Sequence, residues 1–194
     1  RYTEAEALNE ETVAIRRRVM GSEHPATLTS MNNLGLALSN QGRYKDAEGI
    51  YRETLGMQKR VLPPDHPDTL ASLSNLAAAC FHQDRYPEAE SLYRELLEIQ
   101  KRVLGPDHPR TLVAMNNLAL ALSSQDRHAD AVSLHRQTLE IKKRVLGPEH
   151  PETLTSMNNV AVAYHNDDRY SEAVVLYQET LEIRKRVLGT EHPD

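Results

Sequence analysis

Tryptophan is absent from the 194 residues, and phenylalanine and cysteine each occur once. With so few large aromatics the chain has no candidate for an aromatic cofactor box. A lone cysteine, Cys80, excludes an internal disulfide framework and fits a reducing compartment, so a cytoplasmic location is expected. No apolar run approaches the ~18 residues that a membrane span needs. The opening residues Arg1-Tyr2-Thr3-Glu4 carry no apolar signal region, so no membrane is expected as a partner. An excess of basic charge is also missing. Lys and Arg total 23 against 28 Asp and Glu, a net charge of −5, which argues against a dedicated nucleic-acid binder. Eight Gly and ten Pro are too few for a collagenous or Pro/Gly-rich disordered chain.

What the sequence has instead is a repeat. His-Pro recurs at 24–25, 66–67, 108–109, 150–151 and 192–193, each time 42 residues on, with no insertion. In that register residues 27–68, 69–110, 111–152 and 153–194 are four copies of one unit, and residues 1–26 are the second helix and joint of a truncated fifth. A period of this size is the mark of stacked supersecondary units. Each unit reads as two helices. The first runs from Pro25 to about Gln41, with Pro at the helix start where its missing amide costs nothing, and with Leu28, Met31, Leu34, Gly35 and Leu38 at helical spacing. A tight turn at Gly42-Arg43-Tyr44, with Asp126 and Asp168 in place of the glycine later, leads to a second helix from about Lys45 to Val61. Acidic residues open the second helices and basic residues close them, which suits the helix dipole. Pairs such as Glu140 with Arg144 and Glu182 with Arg186 have the spacing of helical ion pairs.

The run Met31-Asn32-Asn33-Leu34-Gly35-Leu36-Ala37-Leu38, followed by Gln41-Gly42-Arg43-Tyr44-Lys45-Asp46-Ala47-Glu48 and Tyr51, resembles a tetratricopeptide repeat. The 42-residue length and the closing Lys-Arg-Val-Leu-Gly-Pro-Asp/Glu-His-Pro are similar to the kinesin-light-chain subclass. The resemblance implies an all-α fold: a right-handed superhelical solenoid of stacked antiparallel helix pairs, about nine helices in one continuous domain. It implies a scaffold rather than an enzyme, with a concave groove lined by first helices. Nearly identical copies of this length in similar proteins form the sensor of microbial NLR-type signalling ATPases. A kinesin-light-chain-like cargo adaptor and a purely structural array are the alternatives. A designed consensus array fits less well, because Gly49 and Gly56 lie inside a helix.

On the helical wheel, one face of each first helix lies opposite the core stripe and has no formal charge. It carries Asn32, Asn33 and Leu36 in the first copy and Asn75, Phe81 and His82 in the second. The third copy places Asn116, Asn117 and Leu120 there, and the fourth Asn158, Asn159, Val162, His165 and Asn166. Asn33, Asn75, Asn117 and Asn159 hold one position throughout. An amide can donate to and accept from a peptide backbone, or can fix neighbouring repeats to each other, and the sequence leaves both readings open. The neutral face points to a mostly neutral peptide or partner helix anchored on the apolar positions.

No catalytic constellation stands out. Five of the nine histidines are the joint residues His24, His66, His108, His150 and His192, which repeat too far apart to share a zinc ion and read as loop-ordering groups at first-helix starts. Cys80 falls at a core position. No catalytic residue, metal or cofactor is expected. The chain starts on an unpartnered second helix and ends on a joint, so its uncapped terminal helices could self-associate end to end.

Overall fold

The computed structural model describes residues 2–188, with side chains from 6 to 187; the expected joint at His192-Pro193 lies outside the described residues. Among the described residues there are nine α-helices and no strand. They are α1 (Tyr2–Met20), α2 (Pro25–Asn40), α3 (Tyr44–Val61), α4 (Pro67–Phe81), α5 (Tyr86–Val103), α6 (Pro109–Ser123), α7 (His128–Leu146), α8 (Pro151–Asn166) and α9 (Tyr170–Leu188). Two compact units divide within α5, residues 1–99 and residues 100–194.

Each first helix starts on its proline, and the preceding joint histidine is its N-cap. His24 Nδ1 accepts the backbone N–H of Ala26, His66 that of Asp68, His108 that of Arg110 and His150 that of Glu152, each at 3.2 Å. The imidazole supplies the acceptor that Ser or Asp supplies at most helix starts, so it satisfies one of the orphan amides of the first turn. Accepting at Nδ1 places the proton of the neutral ring on Nε2. The turn between paired helices needs a left-handed residue. Gly42 takes φ 75°, and Asp84, Asp126 and Asp168 take φ 57–58° at the equivalent positions. Aspartate tolerates that region better than most residues with a Cβ.

In the first unit the core is built by Leu28, Met31, Leu34 and Leu38 of α2 with Ala47, Tyr51 and Leu55 of α3, and by Leu70, Leu73, Leu76 and Cys80 of α4. Gly35 lets the helices approach closely, since a Cβ there would lie 2.4 Å from Tyr51 Cε1. In the second unit Leu112, Met115, Leu118 and Leu122 of α6, Leu139 of α7, and Leu154, Met157 and Val160 of α8 play the same part. Along each first helix these residues follow one another at steps of three or four, as the expected stripe requires, and burying each large side chain contributes roughly 1.5–3 kcal/mol.

Charge at the helix ends is arranged differently from the expectation. Glu140–Arg144 and Glu182–Arg186 are not formed. Arg144 reaches Asp107 at 2.7 Å and Arg186 reaches Glu149 at 2.5 Å. Arg60 does the same with Glu23 at 2.6 Å. Each arginine closes a second helix and grips an acid in the joint that opens its own repeat. The physical reason is reach: at the last turn the guanidinium extends past the helix end and meets a loop carboxylate, instead of lying back along the helix surface.

Candidate functional site

The uncharged face of the first helices is the candidate site, and each unit holds two copies of it. In the first unit Leu36 remains 49% exposed and Asn33 is exposed beside it. Asn75 is half-buried one repeat on. In the second unit Leu120 is 50% and Val162 42% exposed, with Asn117 and Asn159 half-buried. These aliphatic side chains stay in solvent, although the Leu, Met and Val residues of the opposite stripe are buried. The core does not use them.

In two of the three Asn-Asn pairs the two asparagines have different roles. Asn32 Nδ2 donates to Ser72 Oγ at 2.6 Å, tying α2 to α4. Asn116 Oδ1 lies 3.2 Å from His135 Nδ1, tying α6 to α7. The rung at 32 and 116 therefore carries structural bonds. The rung one residue on makes none: Asn33, Asn75, Asn117 and Asn159 have no side-chain hydrogen bond to another described residue, and each keeps some exposure. Asn158, also exposed, is unbonded as well. The inter-repeat bond that the sequence left open for Asn33 and its equivalents belongs to Asn32 instead.

The far end of the face is less free than the sequence suggests. His82 stacks on Tyr44 of the preceding repeat with ring centroids 4.5 Å apart and takes the edge of Phe81 at 5.7 Å. Phe81 is half-buried and meets Tyr86 edge-on at 5.3 Å. His165 packs against Tyr170 at 5.2 Å, and Asn166 is exposed beside it. Phe81, His82 and His165 thus form aromatic contacts around the helix-to-helix turn, and each such contact adds about 0.5–1.5 kcal/mol beyond area burial.

Sequence reasoning misses a second polar cluster. Glu48, nearly buried on α3, accepts from Arg52 Nε at 2.7 Å, from Arg85 Nη1 at 2.7 Å and from Gln83 Nε2 at 2.8 Å. Glu88 is bonded by Arg52 and Arg85. Burial pushes the Glu48 carboxyl up, but the three donors outweigh it and hold its pKa near 2. One repeat earlier Glu6 accepts from Gln41 at 3.0 Å and from Arg43 at 2.5 Å. The sequence signal is the Gln-x-Arg that follows α2 and α4, and its partner carboxylate lies 35–37 residues back.

Glu48, Cys80 and Glu88 could offer a divalent cation three ligand atoms within 4.8 Å of one another. As the side chains stand, both carboxylates are neutralised by arginines. Burial, with the two carboxylates nearby, pushes the Cys80 thiol up to about 11. The cluster is a salt-bridge clamp with a protonated thiol behind it. Joint histidines His24, His66, His108 and His150 are engaged as helix caps. No helix among the described residues is long and apolar enough to cross a membrane.

Comparison with known proteins agrees with the helical-repeat fold. A family profile described as tetratricopeptide repeat matches residues 68–144, and a second of the same description matches residues 1–26, 27–68 and 153–194. Among solved structures, a Podosopora anserina protein described as putative kinesin light chain nearly identical TPR-like repeats is 31% identical, with a TM-score of 0.89 over 95% of this chain and 88% of that one. A point variant of that protein is 30% identical, with a TM-score of 0.90 over 96% and 88%. BtubC from P. vanneervenii is 22% identical, with a TM-score of 0.77 over 96% of this chain and 74% of that one, a likeness of fold. No curated protein matches the sequence.

Proposed function

Because the chain belongs to the tetratricopeptide-repeat family, whose arrays are protein-interaction scaffolds, we propose that it holds a mostly neutral peptide or partner helix along the first-helix groove and has no catalysis of its own. One observation carries this reading. Four asparagines at one repeat position keep free amides beside exposed Leu36, Leu120 and Val162, while the neighbouring rung supplies structural bonds. A free amide can pair with a peptide backbone, and the aliphatic positions anchor apolar side chains. The units 27–68, 69–110, 111–152 and 153–194, with 1–26 as the tail of a fifth, act in this reading as one continuous solenoid. The similarity of the copies supports a role as the sensor of a larger cytoplasmic signalling ATPase, and the likeness to kinesin-light-chain repeats supports the cargo-adaptor alternative.

Selection of a displayed random-peptide library on the whole chain tests the proposal. Selected peptides should lose about tenfold or more in affinity when Asn75→Ala and Asn117→Ala are combined, with the melting curve nearly unchanged, since neither side-chain amide bonds to another described residue. Unchanged affinity would refute the role of these residues; loss of folding would return them to a structural one.

The apolar ends support a second reading, self-association end to end. Val174, Tyr177 and Leu181 of α9 are 52%, 36% and 49% exposed, although their α7 equivalents Val132, His135 and Leu139 are buried. Leu8 and Ile15 of α1 are 64% and 45% exposed. Light scattering over a concentration series should show growing mass, and a constant monomer mass would contradict it.

A further inference from the structure

Consecutive second helices are stitched together by ion pairs in the first unit. Arg17 of α1 meets Glu53 of α3 at 2.8 Å, and Lys59 of α3 meets Glu95 of α5 at 3.1 Å. Arg52 of α3 also bonds Glu88 of α5, and it is aimed there by Glu48, one turn before it. Two repeat periods on, the same positions hold Val132, Arg136, Lys143, Glu172 and Glu179. Every charged partner of the α3–α5 stitches is retained, but Val132 stands where the aiming carboxylate was. Arg136, Lys143 and Glu179 make no ion pair or hydrogen bond with a described residue, and Glu172 turns to Arg169 at 2.9 Å and Ser171 at 3.2 Å.

A cleft of about 390 Å³ opens between α7 and α9 where the Arg136–Glu172 stitch would lie. Its floor and walls are Leu139, Val160, Tyr164, Val175 and Leu176. The volume and lining are those of a small-ligand pocket, apolar with few polar groups. Three charged groups stand at its rim. Glu172 is neutralised by Arg169, whose guanidinium also lies 4.3 Å over the Tyr164 ring. Arg136 is a cation with no ion-pair partner among the described residues, and Glu140, one turn further along α7, is a carboxylate with none there either.

We propose that this cleft is a binding site for a small amphiphilic anion: an aliphatic carboxylate whose chain lies on the apolar floor and whose head is held by Arg136. Restoring the lost clamp would close the site. In a Val132→Glu variant the new carboxylate aims Arg136 across the cleft at Glu172, as Glu48 aims Arg52 at Glu88. Glu140 opposes the head group and weakens binding in the natural chain. The site is independent of the peptide groove, so either can fail alone.

Decanoate, titrated into the whole chain by calorimetry and followed by methyl NMR, is the test. The expected result is saturable one-site binding that shifts the Val160 and Val175 methyls. Arg136→Gln should weaken it by about tenfold, the worth of one charge-assisted bond. Val132→Glu should weaken it too, Glu140→Gln should tighten it, and Arg52→Gln in the first unit should leave it unchanged. The proposal is overturned if decanoate shows no saturable binding, if Arg136→Gln leaves the affinity as it was, or if decanol binds as tightly as decanoate.

Discussion

Acidification from pH 6.5 to pH 4 should destabilise the protein by about 3 kcal/mol through one side chain, His135. His135 occupies the position that Tyr51 and Tyr93 hold in other repeats, is 5% exposed, and has its Nδ1 against Asn116 Oδ1. That contact places its proton on Nδ1, and burial lowers its pKa from 6.5 to about 4. The sign follows from proton uptake. Between these two values the unfolded chain binds a proton that the folded chain refuses, so stability is full above pH 6.5 and declines as the pH falls toward 4. Urea unfolding at half-unit pH steps reads the effect. His135→Tyr should flatten the curve over that window, because tyrosine stays neutral throughout. A slope retained in the variant would assign the acid sensitivity to other groups.

Glu48→Ala should destabilise the first unit by about 2 kcal/mol at neutral pH, the range of a hydrogen bond to a charged group. The carboxylate is nearly buried and accepts three bonds, two of them from arginines. Its loss takes one acceptor from Gln83, which keeps its bond to the Ala79 carbonyl at 2.9 Å, and removes the group that aims Arg52 at Glu88. The cost stays below that of breaking a fully buried ion pair, about 3–5 kcal/mol, because Arg52 and Arg85 are 46% and 41% exposed and can turn to water. The pH window of this contribution lies below that of His135. The Glu48 pKa is held down at about 2 against an ordinary 4.5, so its contribution is complete above pH 4.5 and is lost as the pH falls through 2. Chemical denaturation of wild type and variant at pH 7 and pH 3 should show the difference shrinking at the lower pH. An equal difference at both would show that packing, not charge, is what the substitution removes.

Helix boundaries are legible in the sequence to within a residue or two. Pro25, Pro67, Pro109 and Pro151 mark helix starts by covalent geometry, and the apolar positions repeat at the helical period. Residues whose roles depend on partners distant in sequence are not legible. The repeat register puts the joint histidines at the right helix starts, but the bond they make, from Nδ1 to the amide two residues on, is set by a backbone turn that composition does not reveal. Asn32 and Asn33 are identical in type and differ by one position. That is about 100° of rotation on a helix, enough to point one at Ser72 and leave the other free. The Glu48 clamp joins residues 35–37 apart. The cleft between α7 and α9 accompanies Val132 in place of the clamp glutamate and Asp167 in place of its Gln83 donor, changes whose meaning emerges only beside the intact clamp. The helical wheel assigns His82 and Phe81 to the groove alone, and ring contacts with Tyr44 and Tyr86 give them packing work as well.

If the uncharged face of the first helices holds the partner, backbone hydrogen exchange of the whole chain, with and without a selected peptide at saturation, reads it most directly. Added protection is predicted in α2, α4, α6 and α8 around Asn33, Asn75, Asn117 and Asn159, with little change in the second helices. Protection confined to α3, α7 or α9, with the first helices unchanged, would contradict it.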